Sequence, residues 1–193
     1  MFNRRGKRRA ARDQKGGQTM NYAIGRGLAI AACATVWAQG AIAQESTNNV
    51  AQLTDWSVFT DGDPKECWGV SAPKESTAQR EGNPVQVSRS DILLFVTYRT
   101  GGTPAEVSFT GGYPFAPGST VSMTIGTDKF DLFTDGEWAW PASPDADAAL
   151  LAAMRNGTDA TLVARSARGN ETTDSFSLRG FTAANDEAKK QCQ

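Results

Sequence analysis

The chain has 193 residues, with 20 Lys and Arg against 21 Asp and Glu, three cysteines and no histidine. The absence of histidine excludes Ser-His-Asp and Cys-His nucleophilic catalysis and histidine-containing zinc sites. Residues 44–193 alone carry 12 basic and 20 acidic side chains, a net charge of −8. This charge disfavours nucleic-acid binding, which depends on neutralisation of phosphates by clustered Lys and Arg.

The first 43 residues have the pattern of a secretory signal peptide. Eight Lys or Arg with a single acid precede an apolar run at residues 27–37, which leads to Ala41-Ile42-Ala43. A basic region, a short apolar region and an A-x-A site are the three parts of such a signal. We therefore predict cleavage after Ala43, with Gln44 as the first mature residue. The mature protein is then periplasmic or secreted and has no stable membrane span.

Three alternatives stay open for this N-terminus. The apolar run could be retained uncleaved as a membrane anchor, although a span needs about 20 apolar residues. Residues 30–33 (IAAC) resemble a lipoprotein motif, in which case Cys33 would be lipidated. The start could be Met1 or Met20, because residues 20–43 have the length of an ordinary signal peptide.

The mature chain is long enough for one domain with its own core. Residues 44–53 are polar and predict a flexible leader before a domain at 54–193. Strand patterns then follow at residues 56–58, 67–70, 92–98, 107–109 and 121–125. The continuous apolar run at 92–98 predicts burial on both faces, and the last two segments alternate as half-buried strands do.

Two hairpins are predicted in the second half of the chain. The first joins residues 130–133 to 137–140 through Thr134-Asp135-Gly136, since an Asp-Gly pair readily takes the positive φ angles of a tight turn. The second joins residues 160–166 to 172–178. This spacing of strands favours an antiparallel sandwich or barrel.

A helix at about 144–156 is predicted between the hairpins. Ser143 can cap it, Pro144 suits its first position, and Gly157 can end it in a left-handed conformation. One apolar stripe, which should face the sheet, consists of Ala146, Ala149, Leu150, Ala153 and Met154. A shorter helix is predicted from Thr182 to about Gln191.

Export also determines the cysteine chemistry. Cys33 leaves with the signal peptide, so Cys67 and Cys192 remain. Two cysteines in an oxidising compartment are normally paired, and they lack the C-x-x-C spacing of a redox-active dithiol. We predict a disulfide that closes a loop of about 126 residues, for which the chain-entropy model gives about 5 kcal/mol.

The carboxylates do not single out a catalytic or metal site. Residues 61–66 (DGDPKE) gather three of them, but Pro64 and Lys65 interrupt the ligand spacing of a calcium loop. A solvated turn is therefore expected there. Paired acids for glycoside hydrolysis stay open in principle, yet nothing in the sequence selects a pair. We assign no catalytic, cofactor-binding or metal-binding residue, and expect a protein that is not an enzyme.

The aromatic residues offer a candidate binding surface. Tyr113 and Phe115 lie in a loop fixed by two prolines, and Trp138 and Trp140 share one face of a strand. Exposed aromatic side chains of this kind anchor protein interfaces. The alternative is that these side chains are buried as core, which is the preferred interpretation for Trp56 and Trp68.

The chain also resembles a known family. The features that carry the resemblance are Trp140-Pro141, Arg168-Gly169, Gly180-Phe181 running to Cys192, and Asp55–Val58 with Cys67. Together they resemble the invasion-associated locus B family of exported bacterial proteins over about residues 54–192. The resemblance implies an immunoglobulin-like β-sandwich that is secreted or periplasmic, and a family named for a role in host-cell invasion. It supplies no catalytic residues.

Two hypotheses follow for the function. The first is a non-enzymatic envelope protein that binds a protein or other macromolecule through sandwich loops or an exposed sheet face, and it requires an exposed apolar patch. The second is a module for a small ligand or glycan, or a carboxylate-dependent hydrolase of envelope polymers. That hypothesis requires a concave pocket with converging acids, at least one of which has a raised pKa.

Overall fold

The computed structural model describes residues 48–193. The predicted signal peptide, its cleavage between Ala43 and Gln44, the cysteine at position 33 and the choice of start codon lie outside the described residues. The strands are β1 (Asn49–Leu53), β2 (Trp56–Asp61), β3 (Glu66–Ser71), β4 (Glu75–Arg80), β5 (Asn83–Pro84), β6 (Leu93–Arg99), β7 (Glu106–Thr110), β8 (Thr120–Ile125), β9 (Asp128–Asp135), β10 (Trp138–Trp140), β11 (Asp159–Arg165) and β12 (Glu171–Ser177). The helices are α1 (Pro144–Asn156) and α2 (Phe181–Gln191).

The twelve strands form one antiparallel sheet that folds back on itself. Their order is β1-β2-β3-β6-β7-β10-β9-β8-β11-β12-β4-β5. Only three residues connect β3 to β4, which lie eight places apart in that order. In a flat sheet eight places would measure about 38 Å, whereas the connection reaches about 15 Å. The two halves of the sheet must therefore face each other, which confirms the predicted antiparallel, sandwich-like architecture with two helices.

The core lies between the two halves. The ring of Phe109 on β7 meets that of Phe176 on β12 edge to face, with centroids 6.1 Å apart. Trp56 on β2 is fully buried, and its indole N–H donates to the carbonyl oxygen of Ser177 at 3.0 Å. A buried indole needs such an acceptor, since an unsatisfied donor in the core is costly. Trp56 therefore belongs to the core, as expected.

Strand β6 is buried less completely than its sequence predicts. Leu94 and Val96 point into the core and are fully buried. Leu93 and Phe95, on the opposite face, are only half-buried. The prediction of burial on both faces is thus correct for one face, because no second layer covers the outer side of this strand.

The domain begins earlier than predicted. Residues 49–53 were expected within a flexible leader, but they form β1, which pairs antiparallel with β2 from Asn49 opposite Phe59 to Leu53 opposite Trp56. Strands β4 and β5 likewise have no counterpart among the predicted elements. β1 is an edge strand and β4 is second from the opposite edge, and the backbone pairing of both strands outweighs their weak hydrophobic pattern.

Helix α1 begins as predicted but ends differently. The Ser143 hydroxyl accepts a hydrogen bond from the backbone N–H of Ala146 at 3.2 Å, and Pro144 occupies the first turn. Gly157 follows the last helical residue as predicted, but its φ is −85°, so the predicted left-handed conformation is wrong. A Cβ at Gly157 would overlap with the side chain of Ile125. The glycine is therefore required by close packing against β8.

The buried face of α1 is also rotated from the predicted stripe. Leu150 and Met154 are buried as expected, but Ala149 is exposed and Asp147 is buried.

The two helices have 13 and 11 residues, and neither has the length and hydrophobicity of a membrane span within residues 48–193.

Helix α2 is attached to the early strands by a covalent bond and by hydrogen bonds. The predicted disulfide between Cys67 and Cys192 is present, with 5.8 Å between the Cα atoms. The Lys65 ammonium group donates to the carbonyl oxygen of Gln191 at 2.8 Å, at the C-terminal end of α2. A cation there satisfies a free carbonyl and complements the helix dipole.

The first predicted hairpin forms with its turn shifted by one residue. Trp138 lies opposite Asp135, so the loop has two residues, Gly136-Glu137, rather than the predicted three, Thr134-Asp135-Gly136. Gly136 has φ +59° at the first loop position, as a type II′ turn requires. The second predicted hairpin, formed by β11 and β12, is confirmed.

Replacement of Gly180 by alanine is expected to lower the free energy of unfolding by about 2–3 kcal/mol. Gly180 has φ +90°, and a Cβ there would overlap with the carbonyl oxygen of Leu53 and lie 2.9 Å from its carbonyl carbon. Gly82 has a similar φ of +81° but no atom within 4 Å of an added Cβ. The control variant Gly82→Ala should therefore cost only about 1–2 kcal/mol, the strain of the positive φ. Urea unfolding checks the difference, and equal losses would contradict the packing argument.

Candidate functional site

Six aromatic side chains lie together on the outer side of the sheet, the side that faces away from the core. We call this group the outer aromatic face; it consists of Phe59, Trp68, Phe95, Phe133, Trp138 and Trp140. Side chains alternate between the two sides of a strand, so each of these rings follows or precedes a core residue. On β10, for example, Ala139 is fully buried while Trp138 is 40% exposed.

Strand pairing brings these rings together. Phe59 lies directly opposite Trp68, and Trp140 lies directly opposite Phe133. The ring centroids are 5.9 Å apart in the first pair and 5.5 Å apart in the second. Aromatic side chains on adjacent strands at this distance interact favourably.

The rings of β6 and β10 approach each other across β7. The centroids of Phe95 and Trp138 are 5.7 Å apart, and those of Trp138 and Trp140 are 6.5 Å apart. Between them β7 contributes only the small side chains of Ser108 and Thr110, both of which are buried. These hydroxyl-bearing residues are therefore covered by the neighbouring aromatic rings.

A charged cluster borders this face. Arg99 on β6 contacts Glu66 on β3 at 2.7 Å and Glu106 on β7 at 3.6 Å. The hydrogen bond that Arg99 donates to Glu66 is the main cause that raises the pKa of Arg99 above its usual value. Together with Trp68 and Trp138, these residues line a shallow depression of about 350 Å³. An apolar centre with a polar rim is the usual arrangement of a protein-binding surface.

Trp138 and Trp140 both belong to this face, but Tyr113 and Phe115 do not. Phe115 is only 5% exposed, and its ring lies 6.1 Å from that of Phe109 in the core. The proposed role of Phe115 as an exposed anchor is therefore wrong. Its backbone N–H donates to the carbonyl oxygen of Gly136 at 2.8 Å, which draws the loop onto the sheet.

Tyr113 is half-buried beside the same loop. Its hydroxyl forms a hydrogen bond with the Thr172 hydroxyl, and its ring lies 5.0 Å from the guanidinium carbon of Arg89. Burial is the main cause that raises the pKa of Tyr113 above its usual value. Tyr113 thus takes part in a polar network within the molecule.

Sequence analysis missed four members of the outer aromatic face. Trp68 was expected in the core, and Phe59, Phe95 and Phe133 were not proposed as surface residues. The predicted turn at Thr134-Asp135-Gly136 would have placed Phe133 opposite Glu137, so only the observed register brings Phe133 to the tryptophans. Pairing Phe133 with Trp140 places both rings on one side of the sheet.

The acidic segment 61–66 connects β2 to β3 as a turn. The Asp61 carboxylate accepts a hydrogen bond from the backbone N–H of Gly62 at 2.7 Å, and Glu66 contacts Arg99 instead of its acidic neighbours. Over residues 48–193 no group of three or more Cys, Asp or Glu side chains is placed to hold a metal ion.

Asp147 on α1 is a buried carboxylate that sequence analysis did not single out. One of its oxygens accepts a hydrogen bond from the backbone N–H of Val107 at 2.7 Å, which joins the first turns of α1 to β7. Burial is the main cause that raises the pKa of Asp147 above its usual value. This hydrogen bond gives the backbone N–H of Val107 an acceptor and positions α1 against β7.

The substitution Asp147→Asn is expected to stabilise the protein increasingly as the pH rises. With a raised pKa, folded Asp147 retains its proton where unfolded Asp147 has lost it, so wild-type stability falls between the two pKa values. Asparagine keeps an oxygen acceptor for the Val107 N–H and does not ionise. The difference in unfolding free energy between variant and wild type should therefore grow from acidic to neutral pH and then level off. Urea unfolding across this range measures it, and a constant difference would contradict the assignment.

Comparisons with known proteins identify a related family. The family model described as invasion associated locus B (IalB) protein matches residues 56–189. Among solved structures, the crystal structure of invasion associated protein B from Bartonella henselae matches with a TM-score of 0.49 and 16% sequence identity. The match covers 73% of this chain and 96% of that one. No curated protein sequence matches the chain.

Proposed function

Because the chain belongs to the invasion-associated locus B family of exported bacterial proteins, we propose that it is a non-enzymatic envelope protein that binds a partner protein through its outer aromatic face. The observation that carries this proposal is the exposure of adjoining aromatic rings. Phe133 is 47% exposed and Trp138 is 40% exposed. Large aromatic side chains that remain in water on a folded protein commonly mark an interaction surface.

The surroundings of these rings support a protein as the partner. Tryptophan gives up large apolar area on binding with few rotatable bonds to immobilise, which makes it a frequent energetic centre of interfaces. Arg99, Glu66 and Glu106 supply both signs of charge at the border, where polar groups can form specific contacts without being desolvated.

The carboxylates favour binding over hydrolysis. Asp147 has a raised pKa, which a general acid needs, but its oxygen is occupied by the Val107 N–H beneath α1. In the outer depression, Glu66 and Glu106 are both held by Arg99. These contacts serve structure, and they support the choice of a non-enzymatic protein.

The location in the envelope rests on the family and on the disulfide. A bond between Cys67 and Cys192 is stable in an oxidising compartment and is rare in the cytosol. Fractionation of cells that express the full chain should place the protein in the periplasm or medium, with the N-terminus of the mature protein at Gln44. Retention of the first 43 residues would contradict the predicted cleavage.

Photo-crosslinking in living cells tests whether the outer aromatic face binds a partner protein. A photoreactive phenylalanine analogue at position 138 should give a discrete protein adduct in living cells, and the same analogue at Ala148 serves as control. Ala148 is exposed on α1 and lies outside the outer aromatic face. The adduct should be lost when Trp140 and Phe133 are also replaced by serine, while circular dichroism stays unchanged.

Two results would overturn the proposal. Equal adducts at positions 138 and 148 would show that the outer aromatic face is not selective. Adducts that contain only polysaccharide would replace the protein partner with a glycan.

A further inference from the structure

A second site lies at a polar cavity of about 460 Å³. No residue of the outer aromatic face lines this cavity. Its walls come from the 86–89 segment, the 112–114 loop and the turn between β11 and β12. The volume falls within the range of about 300–1,000 Å³ that small-molecule sites occupy. Three arginines line it, which is unusual in a domain of strongly negative net charge: Arg80, Arg89 and Arg168.

Arg89 forms a rigid wall of this cavity. Its two terminal nitrogens donate to the two carboxylate oxygens of Asp174 at 2.8 and 2.6 Å, and its Nε donates to the carbonyl oxygen of Gly111 at 2.8 Å. The Arg89 side chain is only 8% exposed. These bonds use three of its five N–H donors. The guanidinium group is therefore fixed in place with donor capacity left for a ligand.

Within residues 48–193, neither Arg80 nor Arg168 forms an ion pair with an acid. Arg80 donates through Nε to the Asn170 side-chain oxygen at 2.9 Å and through a terminal nitrogen to the backbone carbonyl of Arg168 at 3.0 Å. Both acceptors are neutral, so they orient the guanidinium group without cancelling its charge. Three arginines and one acid, Glu137, line this cavity, and Asp174 pairs with Arg89 beneath it, while Glu81 and Glu171 line the neighbouring cavity.

Hydroxyl and amide groups complete the lining. Tyr113 and Thr172 form a hydrogen bond with each other, and the Ser166 hydroxyl accepts from the backbone N–H of Asn170 at 3.1 Å. Each hydroxyl keeps further capacity as donor or acceptor. Gln86 and the Asn170 amide add donors suited to a ligand that carries several hydroxyl groups.

We infer that this cavity binds a sugar-sized molecule that carries a carboxylate or phosphate group. The anionic group is held by the guanidinium groups of Arg80, Arg89 and Arg168, and the sugar hydroxyls contact the polar side chains of the turn between β11 and β12. Arginine is suited to both anions because its planar fork matches their oxygen atoms in pairs. This site is separate from the proposed protein-binding surface and does not depend on it.

Isothermal titration calorimetry on protein produced from the full chain tests the inference. The probes are glucuronate, glucose 6-phosphate, glucose and inorganic phosphate. We expect at least one of the two sugar anions to bind, glucose not to bind, and inorganic phosphate to bind more weakly than glucose 6-phosphate. Binding of glucuronate alone would identify a carboxylate ligand, and binding of glucose 6-phosphate alone a phosphate ligand.

Variants at exposed arginines provide the matched comparison. Arg80→Gln and Arg168→Gln should each weaken binding about tenfold, because each removes a charge-assisted hydrogen bond. Arg165→Gln removes an exposed arginine that lines only the neighbouring cavity, and it should leave the affinity unchanged. Circular dichroism confirms that each variant is folded.

Three results would overturn the inference. They are the failure of both sugar anions to bind at millimolar concentration, equal affinity for glucose and glucose 6-phosphate, and an equal loss of affinity in the Arg165 and Arg168 variants.

Discussion

Replacement of Asp174 by alanine is expected to lower the free energy of unfolding by about 3–5 kcal/mol. The Asp174 side chain has no exposed surface and accepts two parallel hydrogen bonds from Arg89, which is itself almost fully buried. Removal of the carboxylate leaves a buried guanidinium group without its counter-charge, and this desolvated cation is the cause of the loss. Urea unfolding at neutral pH measures the change in midpoint and slope.

An exposed ion pair gives the matched control. Asp186 contacts Arg155 at 2.5 Å, but the two side chains are 59% and 36% exposed. Asp186→Ala should therefore cost less than about 1 kcal/mol, since water replaces the lost contact. Replacing both partners of the buried pair, as Arg89→Met with Asp174→Leu, should recover most of the loss. Equal effects of the Asp174 and Asp186 variants would contradict the role of burial.

Loss of the disulfide is expected to lower the free energy of unfolding by about 2–5 kcal/mol. Cys67 and Cys192 are 125 positions apart, so their bond restricts the unfolded chain over nearly the whole domain. It also holds α2 against β3, where Phe181 fills the core beside Trp56 with ring centroids 4.9 Å apart. Urea unfolding of Cys67→Ala with Cys192→Ala measures the loss.

Reduction provides an independent control for this prediction. Dithiothreitol should destabilise the wild-type protein by a similar amount and leave the double alanine variant unchanged. If the double alanine variant instead has the same urea midpoint as the oxidised wild-type protein, hydrogen bonds such as that of Lys65 to Gln191 hold α2 without the covalent bond.

Patterns among neighbouring residues were sufficient to predict the strands and helices in which those patterns are strong. The alternation of Val121, Met123 and Ile125 placed β8, and Ser143 with Pro144 placed the start of α1, because capping and side-chain alternation depend on neighbouring residues. Cysteine number and compartment were sufficient for the disulfide. β4 was missed because its polar sequence gains its structure from β12, about 100 positions later, and β1 was missed because its five residues have no alternating hydrophobic pattern.

The direction of the aromatic side chains could not be decided from the sequence. On β10 the pattern Trp-Ala-Trp predicts either two buried tryptophans or two exposed ones, and hydrophobicity favours burial. The structure buries Ala139 instead. β10 lies between β7 and β9, whose residues Phe109 and Leu132 already fill the core, so the side of β10 with the small alanine side chain faces inwards. Only the complete sheet determines which side is covered.

The polar cavity had no local signal at all. Arg89 and Asp174 are 85 positions apart, and neither stands in a motif. Their pairing depends on the fold of the sheet, which brings the 86–89 segment against β12. Phe115 was placed on the surface by its proline-rich loop, whereas its actual position depends on a backbone contact with Gly136.

The pairing of β4 with β12 also has a consequence for the time at which the protein folds. Glu75 lies opposite Ser175, so a strand from the first part of the domain has its main partner 100 positions later. Sheets built from such distant contacts fold in about milliseconds to seconds, because the chain must close a long loop before the contact stabilises it. During synthesis, β1, β2 and β3 can pair with one another, but β4 and β5 cannot join the sheet until β12, near the end of the domain, has emerged. Late completion of the sheet suits the export that we propose, because a chain that has not finished folding can still be carried across a membrane.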